Sequence, residues 1–74
     1  MYHKLRFRAD YQLDLQIRGK PRLEQLLIKE GETVEAQVRP FVQETSEGPM
    51  ELADLHLAGD GTLLGVPMEY FSFE

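Results

Sequence analysis

The chain predicts an all-β, mainly antiparallel fold: a small, partly closed barrel of five or six strands with one short helical turn, forming a single domain over residues 1–74. Two stretches carry this expectation. From His3 to Ile17 every odd position after the first is apolar (Leu5, Phe7, Ala9, Tyr11, Leu13, Leu15, Ile17) and every even one is charged or amide-bearing, the period of a strand with one buried and one wet face. From Ala53 to Val66 two further alternating segments flank a glycine-aspartate-glycine turn, the pattern of a β-hairpin. A chain of 74 residues without cysteine has no disulfide to staple an open sheet, and closing the sheet hides its hydrogen-bonding edges.

The first segment runs for fifteen residues, longer than an ordinary strand, and no glycine or proline interrupts it. One long strand bent at a barrel corner is the preferred reading, with two strands joined near Ala9-Asp10 as the alternative. Arg18-Gly19-Lys20-Pro21 ends it. Pro21 suits a first helical position, and Leu23, Leu26 and Leu27 follow helical spacing, so one or two helical turns are expected over residues 21–27; an irregular strand through Leu26-Leu27-Ile28 competes. Alternation resumes from Thr33 to Val38. Pro40 cannot donate a ladder hydrogen bond, so the strand must bulge, lie at an edge or end there, and a bulge at Arg39-Pro40 would bring both Phe41 and Val42 inward. Gln43 to Pro49 is polar and reads as a loop. Met68 to Phe73 forms the last strand.

A two-residue reversal at Asp60-Gly61 pairs Leu57 with Leu64 and Leu55 with Val66, and places those four side chains in the core. It also sets His56 opposite Gly65 and Asp54 opposite Pro67 on the other face. Leu52, Leu63, Phe71 and Phe73 then fall opposite their core-facing neighbours. With Asp54 and His56 they make up a candidate protein-contact surface, on which Leu63→Asp would change the association state and leave the fold intact.

The layout of strand, arc, two strands, tight hairpin and a bend into a terminal strand is similar to the SH3-like small barrel, and Val66-Pro67-Met68-Glu69-Tyr70-Phe71 resembles the 3₁₀ bend that precedes its last strand. The resemblance implies an SH3-like fold; an OB-like barrel or a small α+β sheet is the alternative. A peptide groove of the SH3 kind needs clustered aromatics in the first long loop. Residues 18–22 have none, which leaves Tyr11 and Tyr70 as possible members of such a platform. Architecture alone assigns no function.

The absence of cysteine removes thiolate nucleophiles and thiolate metal sites, and is compatible with a cytoplasmic setting. No apolar run is long enough to span a bilayer, so no membrane partner is expected. His3 and His56, with Asp54, fit no compact metal motif, no serine or threonine is tied to either histidine by a nucleophile motif, and the six glycines form no phosphate-binding loop. No catalytic residue, metal or cofactor is expected. Charge is uneven: residues 1–37 carry +1 and residues 38–74 carry −6. The sequence therefore leads to a non-enzymatic interaction or scaffold domain, acting on a protein partner or by self-association. The alternative is a small nucleic-acid-associated regulator using the basic residues Lys4, Arg6, Arg8, Arg18, Lys20 and Arg22, the first three of which alternate along one strand face.

Overall fold

A computed structural model describes all 74 residues as one curled, seven-stranded antiparallel sheet that forms half of a barrel. The strands are β1 (His3–Phe7), β2 (Tyr11–Ile17), β3 (Glu24–Ile28), β4 (Thr33–Thr45), β5 (Gly48–Leu57), β6 (Gly61–Pro67) and β7 (Phe71–Phe73), with a 3₁₀ turn at Met68–Tyr70. Their order across the sheet is β3-β2-β6-β5-β4-β1-β7. The inner face buries Leu5, Phe7, Leu13, Ile28, Ala36, Ala53, Leu55, Leu63, Val66 and Phe71 in one cluster. The all-β, antiparallel expectation holds, with seven strands in place of five or six.

One added strand comes from the N-terminal alternation, which is two strands and not one bent strand. β1 lies between β4 and β7, whereas β2 lies between β3 and β6, so the chain must change neighbours between Phe7 and Tyr11. Polar contacts fix the change without glycine or proline. The Asp10 carboxylate accepts the Glu30 N–H at 2.7 Å and faces the Lys29 ammonium at 3.7 Å, and the Arg8 N–H donates to the Tyr70 carbonyl at 2.9 Å. The other addition replaces the expected helix over residues 21–27. Glu24–Ile28 extends along β2, with Leu13 beside Leu26 and Tyr11 beside Ile28. A short apolar run takes its structure from its neighbour, and here the unpaired side of β2 supplies a ladder that an isolated helical turn lacks. The helical turn is found instead at Met68–Tyr70, after Pro67.

The β5–β6 hairpin departs from the two-residue turn. Its link is Ala58-Gly59-Asp60, and the positive φ that lets the chain reverse falls on Gly59 (+125°), not on Gly61. Leu55 faces Leu63 and His56 faces Thr62; farther on, Ala53 faces Val66 and Leu52 faces Pro67. Between these pairs β6 spends three steps against two in β5, a β-bulge at Leu64-Gly65. Gly65 takes φ +60°, and its N–H donates to the Asp54 carboxylate at 2.9 Å. The extra residue turns both Leu63 and Val66 into the core although they are three apart. Leu63 is therefore fully enclosed, while of the two others expected in the core Leu57 is half-buried at its border and Leu64 is half-buried away from it.

β4 and β5 pair without a register shift from Ala36–Leu57 to Thr45–Gly48, so there is no bulge at Arg39-Pro40, and most of the expected loop at 43–49 is strand. Only Ser46-Glu47 forms the turn. There the Thr45 hydroxyl donates to the Gly48 carbonyl at 2.7 Å and accepts the Glu47 N–H at 3.2 Å. β1 reaches β4 only as far as Ala36, and β6 reaches β5 only as far as Leu52, so residues 41–51 project as a two-stranded arm. Ala58 N–H donates to Glu35 O, which shows that odd-numbered β4 residues direct their backbone groups to β5 and even-numbered ones, Pro40 among them, to the uncovered side. By the same alternation Pro49 faces the uncovered side of β5. Both missing N–H groups therefore fall on open edges, where no ladder bond is lost and no foreign strand can complete one.

Truncating an enclosed leucine removes its transfer energy and leaves a cavity. Leu55→Ala and Leu63→Ala should each cost about 2–5 kcal/mol in urea unfolding, a large part of a small domain's stability. Leu64→Ala should cost clearly less, and Leu63→Asp should abolish the cooperative transition. A Leu64→Ala loss larger than that of Leu63→Ala would restore the bulge-free register.

Candidate functional site

The surface strip expected from Leu52, Asp54, His56, Leu63, Phe71 and Phe73 does not exist as a face. Leu52, Leu63 and Phe71 are 5%, 0% and 2% exposed, which corrects their assignment as contact residues. The bulge turns Leu63 inward, Leu52 lies between Phe41 and Pro67, and Phe71 tilts against Phe7 with ring centres 5.8 Å apart. Asp54 is committed to the Gly65 N–H. The His56 Nδ1 lies 3.1 Å from the Thr62 hydroxyl. Of the six, only Phe73 is an exposed apolar group, set edge-on against His3 at 5.3 Å.

The basic residues divide in the same way. Arg6 donates two hydrogen bonds to one Glu74 oxygen, at 2.9 and 2.6 Å, and a third to the Gly31 carbonyl at 3.1 Å. Lys20 lies 3.6 Å from Glu24, and Lys4 stands beside Glu35 across the β1–β4 ladder. Arg8, Arg18 and Arg22 are exposed and belong to none of the three ion pairs. The β1 stripe is thus held partly by acids from its neighbouring strand and from Glu74.

Exposed apolar surface gathers on the arm. Phe41 (40%), Val42 (61%) and Met50 (44%) are open to solvent. Pro40, Phe41, Val42, Glu51 and Met68 line a shallow hollow of about 280 Å³. Met68 opens the 3₁₀ turn, and Tyr70 closes it by stacking on Tyr11 with ring centres 3.7 Å apart and planes within 6°. One short turn therefore connects the hollow to an aromatic plate. Glu51 is the charged residue in the wall of the hollow. Reading 43–49 as a loop conceals this surface, because only the continuous β4–β5 register brings Met50 to the arm beside Phe41 and Val42. The alternation of Phe41, Gln43 and Thr45 before Ser-Glu-Gly is the signal that could have exposed it.

A larger hollow, about 480 Å³, opens where β2 and the β5–β6 link meet. His56, Asp60, Thr62, Arg18 and Lys20 contribute to its polar wall. No three histidine, aspartate or glutamate side chains converge in a metal-binding group, and no helix is long and apolar enough to cross a membrane. Comparison with known protein families, curated proteins and solved structures finds no match.

The hydrogen bond from Arg6 holds the Glu74 carboxyl below the ordinary carboxylate range against the opposing effect of desolvation, with the positive charges of Arg6 and Lys4 adding to it. A carboxylate lowered on folding stabilises the fold above its unfolded pKa, and that contribution fades as pH falls through the lowered folded value. In a carboxyl-detected NMR titration Glu74 should titrate below the ordinary value of a glutamate side chain, and Arg6→Gln should return it toward that value. An unchanged Glu74 midpoint in Arg6→Gln would show that the pair does not persist in solution.

Proposed function

We propose that the chain is a non-enzymatic interaction domain that binds a protein segment across the arm and the 3₁₀ turn. The observation that carries this reading is the arm itself, which presents Phe41, Val42 and Met50 to solvent beside a hollow floored by Met68. Exposed apolar side chains beside the Glu51 carboxylate fit a segment that supplies apolar anchors with a neighbouring lysine or arginine. The proline at each open edge of the arm favours recognition through side chains over strand addition. An SH3-like reading of the half-barrel is compatible with this: it would use the run β7-β1-β4-β5-β6 and the 3₁₀ turn before β7, whose Tyr70 stacks on Tyr11. Asp54 and His56 serve the hairpin through Gly65 and Thr62, a structural use that weighs against a hydrolytic pair. Nucleic-acid contact through the basic residues has less support, since Glu74 occupies Arg6 and Glu24 lies beside Lys20.

Selection from a displayed random-peptide library, followed by amide chemical-shift mapping with the best peptide, tests the reading. Enriched peptides should combine apolar and basic residues and shift the amides of Phe41, Val42, Met50 and Met68. Val42→Asp and Met50→Asp, both at exposed positions, should weaken binding at least about tenfold while the fold persists. Shifts confined to other surfaces, or full binding by both variants, would overturn it.

A further inference from the structure

We propose that β3 pairs with β3 of a second copy, antiparallel about a two-fold axis at Leu26, to give a weak dimer with a continuous sheet. The inference shares with the proposed function only the premise that the domain works by contact, and it uses a surface at the opposite end of the strand order from β7.

The backbone supplies the first argument. Arg18 N–H donates to Asp60 O, so even-numbered residues along β2 face β6 and odd-numbered ones face β3. Tyr11, Leu13 and Leu15 pair with Ile28, Leu26 and Glu24, which leaves Gln25 and Leu27 directing their N–H and C=O groups to the outer side. β3 has no neighbour there. The open edges of the arm carry Pro40 and Pro49 at such outward positions, and β7 is only three residues long. β3 alone offers a five-residue edge with every outward donor intact.

Side chains select a second copy as the occupant. A two-fold axis through an antiparallel strand pair sets each residue opposite another of the same parity. Centred on Leu26, it uses the whole of β3: Gln25 meets the partner's Leu27 in a doubly hydrogen-bonded pair, and Leu26 meets its own copy on the inner face. On the outer face the exposed Leu27 (54%) becomes a diagonal neighbour of its own copy and of the partner's exposed Leu23 (50%). Just outside the strand, Arg22 stands before its start and Glu30 after its end, so the antiparallel pairing brings Arg22 toward the partner's Glu30, twice by symmetry. Neither residue has an ion-pair partner within its own chain. A strand of this length makes a small interface, so association belongs in the micromolar-to-millimolar range, roughly.

Sedimentation velocity on the intact chain, from low micromolar to about 1 mM, tests the proposal. The mass should rise toward that of a dimer. Leu27→Pro, which deletes an outward N–H and no ladder bond to β2, should shift the dimerisation midpoint at least about tenfold toward higher concentration. Arg22→Glu should weaken the dimer and Arg22→Glu/Glu30→Arg should restore it, a rescue that no loss of folding reproduces; circular dichroism confirms the β fold of each variant. Val42→Asp should leave dimerisation unchanged, which separates this edge from the arm. A wild-type chain monomeric at every concentration, a dimer indifferent to Leu27→Pro, or a double variant as weak as the single one would each overturn β3 self-pairing. So would a monomer whose Gln25 and Leu27 amides shift only on adding a foreign extended peptide.

Discussion

The extra residue that β6 holds opposite Asp54 governs which side chains reach the core. Without it, Leu63 and Val66 would lie on opposite faces of the hairpin, and either one would be driven into water. With it, both face inward, and the carboxylate of Asp54 satisfies the backbone N–H that the bulge leaves without a ladder partner. Only glycine takes the required φ at this point without strain. A local backbone irregularity, one short acidic side chain and the filling of the core are therefore a single arrangement. Its effect extends to β2, whose Leu15 stands beside the enclosed Leu63.

Period two was enough to read the class of the fold, because alternation reports directly on a sheet with one wet face. It marked nearly all of β1, β2 and the first half of β4, and the resemblance at Val66–Phe71 located the 3₁₀ turn. The failures share a cause. A break at Arg8–Asp10, a strand at Glu24–Ile28 and a bulge at Gly65 are each decided by a neighbouring strand or a distant polar contact, and none of these is visible in local spacing. Pro40 illustrates the limit well. The sequence restricted it to a bulge, an edge or a strand end, and only the sheet order shows that the edge is the solution. The exposed apolar groups were misplaced for a related reason: the hairpin register encloses Leu63 and sets Leu52 against Pro67, pairing with β1 encloses Phe71, and the solvent-facing apolar groups lie on an arm that the composition of Gln43–Pro49 had disguised.

Surface chemistry on this domain follows from where each strand runs out of neighbours. β4 and β5 outlast the strands beside them, and prolines silence the backbone of the overhang, so what remains available there is the side chains Phe41, Val42 and Met50. β3 ends the sheet with its backbone groups intact, so what remains available is main-chain hydrogen bonding. The side-chain surface of the arm and the open backbone edge of β3 are thereby kept apart on one small body. The histidine and the aspartate that would first attract attention as chemistry are used in holding the hairpin between them.

The pairing of β7 with β1 bears on how the chain reaches its native state. β4 and β5 are joined by two turn residues and can zip from Ser46-Glu47 outward, closing small loops at each step. β7 can add only to β1, with Leu5 beside Phe73 and Arg6 beside Ser72, across nearly the whole chain. Such a contact closes the largest loop in the molecule, and topologies that depend on distant pairings fold slowly. Phe7 and Phe71 lie in that last seam and also in the core. During synthesis the N-terminal strand must therefore wait, with one edge open, until the final strand has left the ribosome.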